Sequence, residues 1–259
     1  MDAVAAQQKR VARPTATKVP DPTPTFWVTK VLTTGMGETA SDFLFQHMAP
    51  PIALAIGTVG LGTALVLQFR ARRYLPWIYW FAVVMVSVFG TMAADVAHVG
   101  LGVPYLASTA FFLVVLAAIF VGWHRSEKTL SIHSIHTRRR ESFYWATVLA
   151  TFALGTAAGD LTAKTMHLGY LTSAIVFGAV ILVPLIAHKG FKFNAIAAFW
   201  FAYIVTRPLG ASFADWFAAP HPAGLGWGTG PITLVLTILI VVLVGYIATR
   251  STRTGRPAV

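Results

Sequence analysis

Five of the nine acidic residues, Glu38, Asp42, Asp95, Asp160 and Asp215, stand inside long apolar stretches. Four of them recur at one spacing. The segments read FWVTKVLTTGMGETASD from Phe26, YWFAVVMVSVFGTMAAD from Tyr79, YWATVLATFALGTAAGD from Tyr144 and FWFAYIVTRPLGASFAD from Phe199. In each, an aromatic precedes Trp, Gly follows the Trp by ten residues, and Asp follows the Gly by five, giving Trp27/Gly37/Asp42, Trp80/Gly90/Asp95, Trp145/Gly155/Asp160 and Trp200/Gly210/Asp215. An ionisable group near the centre of a spanning helix costs about 2.5–3.5 kcal/mol on insertion scales, so such groups face a bundle interior or water. Carboxylates gathered there bind cations or carry protons.

Residues four apart share a helix face. That face carries Lys30, Thr34, Glu38 and Asp42 in the first copy, and Val83, Ser87, Thr91 and Asp95 in the second. The third has Val148, Phe152, Thr156 and Asp160, and the fourth Tyr203, Arg207, Ala211 and Asp215. Glu38, Asp42, Asp95, Asp160 and Asp215 are therefore the expected ion-binding or proton-carrying residues. Thr34, Ser87, Thr91 and Thr156 are expected as supporting hydroxyls, with Lys30 and Arg207 as tethered counter-charges. Oxygen donors of this kind suit Mg or Mn, and the same five carboxylates are candidate metal ligands. His47, His98 and His167 are weaker ones, because their offsets from the aspartates do not match. The competing reading is that each Asp merely pins a neighbouring helix.

The elements that must position these residues follow from composition. The 259 residues are 56% hydrophobic and 11% charged, against about 25% charged in soluble domains. Apolar runs fall at about 26–48, 51–69, 76–97, 104–123, 142–163, 169–187, 194–218 and 230–248, each near the ~20 residues that cross a bilayer as a helix. The fold expected is all-α: a polytopic membrane protein of eight transmembrane helices, built as four helical hairpins of about 26–70, 76–124, 142–189 and 194–249. Two helices per repeat make the repeats parallel, related by axes along the membrane normal. Residues 1–25 read as a disordered cytoplasmic arm, 26–250 as a single transmembrane domain and 251–259 as a cytoplasmic tail.

Most of the twenty Lys and Arg lie on one side: Lys9, Arg10, Arg13 and Lys18, then Arg70, Arg72 and Arg73, then Arg125, Lys128 and Arg138–Arg140, then Lys189 and Lys192, and Arg250, Arg253 and Arg256. The positive-inside rule puts both termini in the cytoplasm. The fifteen steps from Trp to Asp span roughly 22 Å, so the aspartates belong to the outer part of the bilayer and the aromatic–Trp pairs to its inner interface, as anchors. The glycines, each followed four residues on by Ser, Ala or Gly, read as packing seams between helices.

Several classes are excluded or disfavoured. Without cysteine there is no disulfide or thiolate chemistry. The formal charge of +11 sits in loops, which leaves no basic face for nucleic acid. No nucleophile and base recur at helical spacing, so an enzyme is not expected.

With FW or YW, Gly and Asp repeated four times, the chain resembles a bacterial family of membrane-anchored repeat proteins of unknown function. The resemblance spans about residues 18–250, through KVPDPTPTFWVTKVLTTGMGETASD, the LGY at Leu168–Tyr170 and the TRPLGASFADW at Thr206–Trp216. It implies a polytopic protein of the prokaryotic inner membrane and brings no activity with it.

The residues themselves point first to a small transporter or channel for a cation, either a proton or a hard divalent metal such as Mn or Mg. Its partners would be the lipid bilayer and the cation, with a homo-oligomer open; no cofactor is called for beyond a divalent cation. A membrane scaffold whose Asp residues are structural is the second reading. An anion or small-solute transporter using Lys30 and Arg207 is the third.

Overall fold

The computed structural model describes residues 17–184, 186 and 194–253. Among the described residues eight α-helices follow in order, α1 Pro24–His47, α2 Pro50–Arg70, α3 Pro76–Asp95, α4 Tyr105–Glu127, α5 Arg138–Asp160, α6 Gly169–Val180, α7 Ala195–Ala218 and α8 Thr229–Arg253, and there is no strand. Their starts are written in the sequence. Pro opens α1, α2 and α3, where its missing N–H costs nothing. Thr23, Thr137 and Asn194 cap α1, α5 and α7 through side-chain oxygens. After Asp95 and Asp160 the helices run on as π turns, Val96–Gly100 and Leu161–Thr165.

Among the described residues six helices are long and apolar enough to cross a membrane: α2, α3, α4, α5, α7 and α8. The expectation was eight. Helix α1 is long enough at 24 residues but carries Lys30, Glu38 and Asp42, and α6 belongs to a shorter apolar stretch, Gly169–Pro184.

The four motif helices form a closed inner ring, α1 against α3, α3 against α5, α5 against α7 and α7 back against α1. The even helices lie outside, and here the hairpin expectation is corrected. Each outer helix packs mainly on the motif helix of the next repeat: α2 on α3, α4 on α5, α6 on α7, and α8 on α1, which closes the circle. Outward faces of α2, α4 and α8 are apolar and exposed, as with Ile56, Val59, Phe111, Val114, Ile238 and Val242.

The glycine seams make the ring close. Gly37 lies under Ser87, Gly90 under Phe152, Gly155 under Arg207 and Gly210 under Thr34, so each motif helix receives a side chain from the next. A methyl on Gly155 would overlap the Arg207 stem. Gly155→Ala is therefore expected to lose about 1–3 kcal/mol by overpacking. Gly62→Ala, on α2 with no neighbour within 4 Å, should be neutral or gain up to about 1 kcal/mol in helix propensity. Thermal unfolding in detergent compares the two.

Apart from Trp27, the Trp residues of the motif are not interface anchors. Trp80, Trp145 and Trp200 are buried with Phe26, Tyr79 and Tyr144 in one aromatic core, and only Trp27 is half-buried. Motif helices occupy the centre, so their aromatic rows meet one another: Phe26 lies 5.6 Å from Trp80, Tyr79 lies 5.7 Å from Trp145, and the Tyr79 and Tyr144 hydroxyls are 2.6 Å apart.

The arm also needs correction. From residue 17 the chain is packed rather than disordered: Lys18 is buried, its Nζ 2.6 Å from Glu141 Oε2, and Gln68 Nε2 donates to the other Glu141 oxygen at 3.1 Å. Backbone bonds from Lys18 to Ile135 and from Tyr74 to Thr17 hold the segment across the basic end. Residues 1–16, Lys189, Lys192 and Arg256 lie outside the described residues.

Candidate functional site

Because all four motif helices run the same way, their last turns gather at one end of the ring. Asp42, Asp95, Asp160 and Asp215 line a single cavity of about 300 Å³ there, with Glu38 among its lining residues. All five expected carboxylates are thus brought together. Gln46, Lys164 and Tyr170 share the lining. Gln46 continues the four-residue ladder one step beyond Asp42; Tyr170 comes from α6, outside the Trp–Gly–Asp motif, and is the last residue of the LGY at Leu168–Tyr170.

The aspartates are not equivalent. Lys164 Nζ sits 2.9 Å from Asp160 Oδ1 and 3.5 Å from the Tyr105 hydroxyl. Ser41 Oγ donates to Asp95 at 3.3 Å. The side chains of Asp42 and Asp215 accept no hydrogen bond and form no ion pair among the described residues, leaving their carboxyl groups to the cavity. The reading of every Asp as a helix pin fails for these two.

Below the aspartates the ring is closed by one buried network. Arg207 is fully buried and Glu38 is 4% exposed. Arg207 Nη2 lies 2.6 Å from Glu38 Oε2, donates to Thr156 Oγ1 at 2.7 Å and also bonds Thr91 Oγ1; Nη1 donates to the Thr34 carbonyl at 3.2 Å. Thr91 Oγ1 donates to Glu38 at 3.1 Å. Helices α1, α3, α5 and α7 each supply one part, so this latch ties all four repeats. Within the latch Arg207 pairs with Glu38.

The other supporting residues divide. Thr91 and Thr156 belong to the latch. Thr34 and Ser87 do not face the cavity: they sit on the glycines of neighbouring helices, Thr34 Oγ1 donating to Val31 and Thr206 carbonyls, and Ser87 Oγ buried without a partner. Lys30 is buried one step further in, between the Phe152 and Tyr203 rings.

The metal expectation is not supported. Among the described residues no group of three His, Cys, Asp or Glu side chains could hold a metal ion; the four aspartates come one from each motif helix, with Glu38 one turn before Asp42 on α1. The histidines stand apart from it. His47 stacks on Phe43 with Nδ1 2.9 Å from its carbonyl, His98 is buried beside Ser108 Oγ at 3.2 Å and the Val103 carbonyl, and His167 is exposed.

Fold and site together define a helical repeat protein with helices long and apolar enough to cross a membrane, four repeats closed into a ring around an acid-lined cavity. The chain belongs to the family described as Repeat of Unknown Function (DUF347), which it matches over residues 25–74, 78–129, 143–192 and 198–254. No curated protein and no solved structure matches it.

Proposed function

We propose that this protein is a small cation transporter of the prokaryotic inner membrane, in which all eight helices span the bilayer, both termini are cytoplasmic and the acidic cavity opens outward. One observation carries the reading: four aspartates at equivalent positions of four repeats line one cavity, and the side chains of two of them have no hydrogen-bond or ion-pair partner among the described residues. A cleft of one charge sign with low-dielectric walls concentrates ions of the other sign. Spanning by α1 is supported by the direction of its charges, since Lys30 and Glu38 are buried in the ring rather than turned to lipid. The basic connections at the opposite end support the orientation.

The spread of the carboxylates favours protons or a cation that keeps its water over a Mn or Mg ion stripped and coordinated by protein. The latch closes the path beneath the cavity, so the arrangement is a carrier with one side shut, and cargo must loosen Arg207 from Glu38 to pass.

The test is flux in reconstituted vesicles. Asp42→Asn is expected to slow proton or alkali-cation movement at unchanged thermal stability, because Asp42 has no hydrogen bond to lose. Equal flux in wild type and variant discards the transport role. A variant that loses its fold supports the scaffold reading in its place.

A further inference from the structure

Beneath the latch, Lys30 poses a problem that the outer cavity does not solve. Its side chain is fully buried, and Nζ has no hydrogen-bond acceptor among the described residues. Two aromatic faces approach it, Phe152 with its ring centre at 4.1 Å and Tyr203 at 4.4 Å. An ammonium carries three N–H groups, so at least one is left over. Arg207 repeats the pattern. Its terminal nitrogens are used, but Nε is buried and unpartnered, and Cζ lies 5.2 Å from the centre of the same Phe152 ring.

Charge gives the same count as hydrogen bonding. Lys30 and Arg207 bring two positive groups to this layer and Glu38 brings one negative group; the aspartates lie beyond the latch, around the cavity. Buried charges in proteins are paired, because an isolated one loses its hydration and gains nothing in return. With both bases charged, one acceptor with one negative charge is missing. The layer is shut above by the Arg207–Glu38 latch and below by the buried row of Phe26, Tyr79 and Tyr144, so the missing group must be small.

We propose that Lys30, with Arg207 contributing charge, holds a small monovalent anion of the halide class inside the ring. This site is separate from the cation cavity and stands whether or not that cavity transports.

The experiment uses the purified full chain in detergent, with chloride or bromide against gluconate at matched ionic strength. Halide is expected to raise the melting temperature by roughly 3–5 °C for each tenfold increase above its Kd, and Lys30→Met should abolish the difference. No difference between halide and gluconate in the wild type overturns the site, as does an unchanged halide response in Lys30→Met. Should Lys30→Met not fold, crystals of the wild type grown in bromide decide the matter: anomalous density beside Lys30 Nζ supports the proposal, and its absence there overturns it. Vesicle flux plays no part in these readouts, so failure here and failure of cation transport are told apart.

Discussion

Arg207→Ala is expected to destabilise the protein by about 3–5 kcal/mol, the cost typical of removing one partner of a buried ion pair. The loss has three sources in the geometry. Glu38, 4% exposed, would keep only hydroxyl contacts from Thr91 and Thr156. The Thr34 carbonyl would lose its donor, and the stem that fills the groove over Gly155 would vanish. The decisive comparison is with Glu38→Gln/Arg207→Met, which removes both charges and keeps most of the volume. Replacing a whole buried pair by neutral groups of similar size is often neutral, so the double variant should recover most of what Arg207→Ala loses. Unfolding of Arg207→Met, Glu38→Gln and the double variant in one detergent forms the cycle. A cost below about 1 kcal/mol for Arg207→Ala would show that the latch does not hold the four repeats together.

How far the sequence reveals this site depends on which residues are considered. The four aspartates were legible because an identical Trp–Gly–Asp spacing in four parallel helices places them at one depth. Convergence on one cavity then needs only ring closure, and the glycines supplied its chemistry. Thr34 and Ser87 were misplaced for a geometric reason. Each four-residue step advances 400° on a 3.6-residue helix, so the face drifts by about 40° per step and by about 120° from Lys30 to Asp42. A ladder that looks straight in sequence therefore winds, and its middle rungs reach neighbouring helices while its end reaches the cavity. The crossed pairing of α2 with α3, and of α8 with α1, left no trace in the sequence, since apolar outer helices suit either neighbour equally well. Burial of Trp80, Trp145 and Trp200 follows from the same closure: a Trp at the end of a span is an anchor on an outer helix and a core residue on an inner one. Charge set α1 apart from the candidate spans, as length did α6. Lys30, Glu38 and Asp42 depress the hydropathy of α1, yet Lys30 and Glu38 are turned inward.

Asp42→Asn/Asp215→Asn is expected to have the largest effect on transport, a fall of about 10–1000-fold in cation flux at low salt, the range over which a charged cleft alters association. These two carboxyl groups have no internal partner, so their charge is directed at whatever enters; Asp160 is engaged by Lys164 and Asp95 accepts from Ser41. The size of the effect should shrink as ionic strength rises and the Debye length falls from about 10 Å at 0.1 M to about 3 Å at 1 M. Lys164→Gln provides the opposite sign. It frees Asp160 and makes the cavity more negative, so flux at low salt should rise. A structural role for the aspartates cannot produce this pair of results, because both changes would then act through folding and neither would depend on salt. If the double Asn variant and Lys164→Gln move flux in the same direction, the field of the cavity is not what admits the cation.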